Sequence, residues 1–292
     1  MENYPDKYMQ ENFLKENASK QFLNRLPKLR IFAFGEPIVF INDMSVVHWR
    51  MSRAMEVCLF LLNYSRPIRK ERIMSILWPN EEKDVDQTLR STIYYIRKIM
   101  GKSCILYRAG AYELNLTDLD NNYWYDVALF EQYYSQAQQA LLQKDKSTAR
   151  ACLKPMVDLY RGDYVESFYS NWCIPRRDEL RRIYMNARRE LAVIAWYDEQ
   201  IEESIYHWQQ ILAVDNCFEE AHYGLMCCYI RQNNRIWAIR QYQLYTEILQ
   251  KELSVTPGMD IQKLYYQLVF FNKEKGTELM NLEMHQLINF NL

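Results

Sequence analysis

After Asp126 the sequence stops alternating and begins to repeat. Strand signals vanish, and the apolar spacing predicts helices in succession over roughly 126–142, 146–160, 176–199, 202–213, 217–232, 235–252 and 258–271. Within this stretch a shift of 34 residues lays Ala192 on Met226, Ala195 on Tyr229, Ser204 on Ala238, Ile205 on Ile239 and Trp208 on Tyr242. Small or apolar meets small or apolar along paired helices. A single helix pair of that length cannot bury its apolar face, so several pairs must stack into an array. Only seven glycines occur in 292 residues, which favours helices over sheets and phosphate-cradling loops.

The first half reads differently. Residues 1–27 form a polar extension ending at Pro27, with a short helix expected around 8–23. LRIFAFG and PIVFI are rich in β-branched and aromatic residues about a Gly35-Glu36-Pro37 turn, which predicts a hairpin, and a short strand follows near Val46–Trp49. Ser52 is a suitable N-cap for a helix running to about Asn63, with Ala54, Cys58, Leu61 and Leu62 facing inward. Arg66-Pro67 breaks it. A second helix runs from about Arg69 to Trp78 on Ile73, Ile76 and Leu77, and Pro79-Asn80 ends it. A third spans about Asp84 to Met100 and stops at Gly101. CILYR and AYELNL about Ala109-Gly110 then predict a second hairpin.

Charge is divided between the halves. The formal net charge is −1, yet Arg25 to Gly110 holds 15 Lys and Arg against 8 Asp and Glu, whereas Ala111 to Leu292 holds 18 against 25. A cationic half facing a polyanion explains such a division. The seven cysteines are scattered and contain no C-x-x-C, the N-terminus is polar, and no apolar run approaches the ~18 residues that span a bilayer. These features lead us to expect a reducing, cytoplasmic setting with the cysteines as small core residues.

The third helix carries the sharpest functional signal. Val85, Leu89, Ile93, Ile96 and Met100 fall on one stripe, leaving Gln87, Arg90, Ser91, Tyr94 and Lys98 on the opposite face with Tyr95 and Arg97 at its margins. Cations for phosphates and polar groups for base edges are what a helix in a major groove needs. Taken alone such a face reads as ordinary solvated surface. Between a two-helix unit and a hairpin it reads as a recognition helix. Arg69 and Lys70, with Arg66 and Arg72, surround the start of the second helix, and Arg108 sits at the tip of the second hairpin.

LRIFAFGEPIVFI, SRAMEVCLFLLNY, RPIRKERIMSILWP, DQTLRSTIYYIRKIMG and the Gly-Ala-Tyr hairpin resemble an OmpR-type winged helix-turn-helix. DVALFEQYYSQA, LYRGDYVESFYSNWC, RRDELRRIYMNARREL, DNCFEEAHYGLMCCY and RIWAIRQYQLYTEILQKELSVTP resemble a bacterial transcriptional activator domain, and the 34-residue period is that of a tetratricopeptide repeat. Together they resemble SARP-type regulators over roughly residues 28–270. The resemblance implies a mainly α fold with a small α+β part: an extension at 1–27, a winged helix at 28–121, the helical activator domain at 122–272 and a tail at 273–292. It implies double-stranded DNA as partner of the third helix and hairpin wing, and a repeat domain that dimerises or contacts transcription machinery such as RNA polymerase. Tyr94 and Tyr95 depart from the basic residues usual in the family, and Arg69 stands where a Ser or Thr cap is common. A helical-repeat adaptor whose winged helix binds protein is therefore the alternative.

No enzymatic signature is present. G-x-x-x-x-G-K-S/T, G-x-G-x-x-G and H-E-x-x-H are absent, and no cofactor is expected. Cys217, His222, Cys227 and Cys228 are close in sequence, but helical spacing splits them across faces, so packing accounts for them better than a metal. Trp172, Trp196, Trp208 and Trp237 either line a groove for an effector or fill the core between helices. The tail, with Leu279, Leu282, Met284, Leu287 and Ile288, is expected to cap the array or pack on a second chain.

Overall fold

The computed structural model describes residues 29–41, 44–45, 52–64, 66–80, 84–115 and 123–270. The helix expected at 8–23, the strand at Val46–Trp49 and the tail lie outside them, as does the Ser52 side chain. Seven strands and ten helices occur among the described residues: β1 (Leu29–Phe32), β2 (Ile38–Ile41), β3 (Met44–Ser45), α1 (Ser52–Leu62), β4 (Ile68–Arg69), α2 (Lys70–Leu77), α3 (Val85–Met100), β5 (Ile105–Arg108), β6 (Ala111–Leu114), β7 (Tyr123–Tyr125), α4 (Asp126–Leu142), α5 (Lys146–Leu159), α6 (Ile174–Tyr197), α7 (Ile201–Leu212), α8 (Glu219–Arg231), α9 (Arg235–Glu252) and α10 (Met259–Phe270). The fold is mainly α with a small α+β part, as the sequence reading expects.

The chain divides into two compact units. The first comprises the described residues up to Leu129 together with Arg161–Asp178. Its four-stranded sheet has the order β3-β2-β1-β7, antiparallel except that β7 runs parallel to β1. A second, antiparallel sheet has the order β4-β6-β5. In the same unit α1 buries Ala54, Val57, Cys58, Leu59, Phe60 and Leu61, α2 buries Ile73 and Leu77, and α3 buries Leu89, Ile93, Ile96 and Met100. Each such aliphatic side chain contributes roughly 1.5–3 kcal/mol on leaving water.

A buried carboxylate joins β1 to the start of α4. Asp126 accepts from the backbone N–H of Ala33 (2.9 and 2.8 Å), Phe34 (3.0 Å) and Val127 (2.8 Å), and from Arg161 Nη2 (3.3 Å). These donors lower its pKa, but burial outweighs them and pushes it up to about 6. The 161–178 stretch completes this unit. Val165 N–H donates to Ala33 O and Gly35 N–H to Asp163 O, while Arg177 donates to the carbonyls of Tyr164, Val165 and Phe168. Glu56, inside α1, accepts from Arg53, from Ser170 Oγ and from Trp172 Nε1 (3.1 Å).

The second unit comprises Phe130–Tyr160 and the described residues from Glu179 on. It is made of helical hairpins, and one turn recurs in each. Lys144, Glu199 and Asn233 follow α4, α6 and α8 with φ of 60°, 61° and 56°. The next N–H then reaches back five residues: Asp145 to Ala140 O, Gln200 to Ala195 O and Asn234 to Tyr229 O, at 2.9, 2.8 and 2.8 Å. This is a Schellman C-cap at the same place in three hairpins, and the last two are one 34-residue period apart. Ala192, Ser204, Met226 and Ala238 are buried as the alignment requires. Trp208 is 1% exposed and lies flat against Gly224, where an added Cβ would come within 2.4 Å of the indole. Trp196 is buried as well, so both tryptophans are core residues and not groove lining; Trp237 is exposed. Cys227 and Cys228 are buried, and His222 is held by Asn216 O (2.8 Å) and Gln241 Nε2 (2.7 Å) while stacking on Tyr245, which gives these residues packing roles.

Candidate nucleic-acid interface

The exposed face of α3 is built from its own periodicity. With Leu89, Ile93 and Ile96 turned inward, Gln87, Arg90, Ser91, Tyr94 and Lys98 are turned outward and exposed, Tyr94 to 70%. Tyr95 and Arg97 are half-buried at its margins. Thr92 is buried among the aliphatics and returns its hydroxyl to Thr88 O (2.8 Å). Lys98 and Arg97 lie in the last turn, where cations complement the helix dipole.

Hydrogen bonds tie α3 to the hairpin at both ends. Near its N-terminus, Asp86 pairs with Arg90 one turn on (2.6 Å) and with Lys70 at the start of α2 (2.9 Å). The backbone N–H of Lys70 in turn donates to Gly110 O at the hairpin tip (3.0 Å). The ammonium hydrogen bond holds the Asp86 carboxyl below the usual carboxylate range and raises the Lys70 pKa. At the other end Arg97 donates through Nε and Nη2 to Ile105 O (3.1 and 2.7 Å). Arg97 thus spends its guanidinium on β5 and Arg90 pairs with Asp86 on the exposed face, whereas the Lys98 side chain is exposed to solvent.

The hairpin turns on Ala109 and Gly110, with φ of 49° and 81°, the two positive angles of a type I′ turn. Register then places the cations. Ala111 is opposite Arg108 on β5 and opposite Arg69 on β4. Directly paired residues share a face of the sheet, so the two exposed arginines flank the small Ala111, two strand spacings or about 10 Å apart. Ile68, Tyr112 and Tyr107 form the next row, with Ile68 and Tyr112 buried and the Tyr107 ring tilted at 38° against Tyr112, centroids 4.5 Å apart. Arg69 precedes α2 without capping it through its side chain, which leaves the guanidinium on the surface.

The structure therefore brings Arg69, Lys70, Arg90 and Arg108 into one bonded neighbourhood, with Gln87, Ser91, Tyr94 and Lys98 along the adjoining helix face. Sequence reading missed Asp86, which joins helix to hairpin; its i,i+4 spacing to Arg90 is the signal that could have found it. Strand β4, only two residues long, was also missed, and with it the alignment of Arg69 with Arg108. Among the described residues no group of three or more metal-ligating side chains occurs, and no helix is long and apolar enough to cross a membrane.

Three strands, three helices and a wing, followed by stacked helical hairpins, define a winged helix-turn-helix protein with a tetratricopeptide-like array. Residues 125–269 match the family described as bacterial transcriptional activator domain, the domain that the sequence resemblance to SARP-type regulators places after the winged helix. Mycobacterium tuberculosis EmbR, solved in complex with a low affinity phosphopeptide, has a similar structure: 15% sequence identity and a TM-score of 0.71, over 90% of this chain and 71% of that one. The C-terminal TPR-containing domain of a Plasmodium falciparum FK506-binding protein aligns with 49% of this chain and 88% of its own at 14% identity, with a TM-score of 0.38. No curated protein matches the sequence.

Proposed function

We propose that the chain is a sequence-specific DNA-binding transcriptional regulator, an activator, that works in the cytoplasm. The carrying observation is the exposed α3 face joined by hydrogen bonds to a hairpin that bears Arg69 and Arg108 on one side. In this reading α3 enters the major groove. Gln87, Ser91, Tyr94 and Tyr95 meet base edges, while Arg90, Lys98, Arg69 and Lys70 meet phosphates and Arg108 reaches the neighbouring minor groove. Arg97 acts indirectly, by fixing the angle between helix and wing. The interface is bonded in place before DNA arrives, so little ordering cost is incurred on binding.

A single winged helix reads a short site, and two linked copies supply useful affinity. We assign that pairing, or contact with RNA polymerase, to the helical array. The exposure of Tyr94 and Tyr107 favours one competing reading, an adaptor that uses this face for protein. The test is DNA affinity of Arg90→Ala/Lys98→Ala, measured by anisotropy with the circular dichroism spectrum unchanged. The regulator reading expects a loss on every sequence and a salt slope shallower by about 2. Unaltered affinity and slope would favour the adaptor.

A further inference from the structure

The helical array holds a buried cation without a counter-charge. Arg188, in the middle of α6, is 6% exposed. Its Nε donates to Tyr184 Oη (3.0 Å), Nη1 donates to His207 Nδ1 (3.1 Å), and the guanidinium lies 5.2 and 5.5 Å from the ring centres of Tyr184 and Tyr206. The next residue, Arg189, pairs with Glu190 and Glu220, but no carboxylate among the described residues pairs with Arg188. A buried charge held only by neutral groups is costly unless a partner completes it.

Arg188 lines a cavity of about 200 Å³ together with Lys154, Asp158, Glu203, Tyr206 and His207. The acidic members do not answer it. Glu203 is held by Arg150 and Lys154, and Asp158 is exposed to solvent. Because a guanidinium only donates, His207 Nδ1 is the acceptor, and the ring proton of the neutral imidazole sits on Nε2. That nitrogen is 3.7 Å from Glu203 Oε1, beyond hydrogen-bond reach. Burial, and next the charge of Arg188, push the His207 pKa down to about 4, so the ring is neutral. Unspent guanidinium N–H groups, the Nε2–H of His207 and the Lys154 ammonium at the rim give the cavity a cluster of donors beside the Asp158 and Glu203 carboxylates.

We propose that this cavity binds a small oxyanion, a metabolite presenting a carboxylate or phosphate to Arg188. The planar fork matches two oxygens of either group. At about 200 Å³ the cavity is below the usual range for drug-sized ligands, which favours a small occupant. Tyr206 covers one side of the guanidinium. The site is independent of the DNA-binding reading.

The experiment is calorimetric titration of the full chain with inorganic phosphate and, separately, acetate, malonate and succinate, at constant ionic strength in chloride. We expect one-site saturable binding by phosphate or by at least one carboxylate, which also tells the two sources apart. Affinity should fall at least about tenfold in Arg188→Met, whose unbranched apolar chain fills the space between the tyrosines. If that variant loses its native circular dichroism, Lys154→Gln decides, since Lys154 is exposed: weaker binding supports the site and unchanged binding overturns it. No saturable binding by any of the four up to about 20 mM would also overturn it, as would unchanged affinity in a folded Arg188→Met.

Discussion

Gly224 is the residue at which the array tolerates least. It faces the Trp208 indole, where a Cβ would sit 2.4, 2.6 and 2.8 Å from three ring atoms. The ring is buried on all sides and cannot retreat, so Gly224→Ala should cost at least about 1–3 kcal/mol in urea unfolding; a neutral result would mean that the two helices separate easily. Asp126 offers a test in pH. The folded protein holds its proton up to about 6, whereas an unfolded chain releases it near the ordinary value of 3.8. This carboxyl therefore favours the folded state most below about 4, and that contribution is lost as pH rises through about 6. The wild-type urea midpoint should fall across this window by more than that of Asp126→Asn, and parallel profiles would contradict the assignment.

At the scale of elements, the repeated turn is where propensity and architecture disagree. Lys144, Glu199 and Asn233 adopt a left-handed conformation that glycine adopts without a Cβ penalty. Glu199→Gly and Lys144→Gly should be neutral or stabilising by up to about 1 kcal/mol in chemical denaturation; clear destabilisation would show that those side chains do more than end a helix. The same turns explain what was legible in the sequence. Long helices such as α3, α4 and α9 declare themselves through 3.6-residue periodicity and are found at or within a residue of the expected bounds. Strands β4 and β7 are two and three residues long, too short to show a period, and exist because β6 and β1 offer edges to pair with. Nor does anything local reveal that 161–178 joins the first unit. Its anchors, Glu56 with Ser170 and Trp172, are more than a hundred residues apart in sequence. The α3 face was legible from spacing, but the bonds that commit Arg97 to the wing and Arg90 to Asp86 arise from tertiary structure.

Across the whole molecule, charge follows the division of labour. The excess of cations from Arg25 to Gly110 lies on the part that carries α3 and the wing, and the excess of carboxylates on the part that carries the array. On the proposed DNA-binding reading, an acidic array would resist non-specific collapse onto DNA, while the cationic part would steer the chain to the duplex. The salt dependence of binding should therefore count the cations of the first part alone. Five exposed or part-exposed candidates, Arg69, Lys70, Arg90, Lys98 and Arg108, give a slope of log affinity against log salt of roughly −4 to −5. The most direct test is fluorescence anisotropy of the purified chain on DNA from upstream of its own gene and on scrambled DNA, across a salt series. The account predicts that slope, with a preference of at least ~10³ for the upstream fragment at physiological salt. Absence of binding to either DNA at low salt would contradict it.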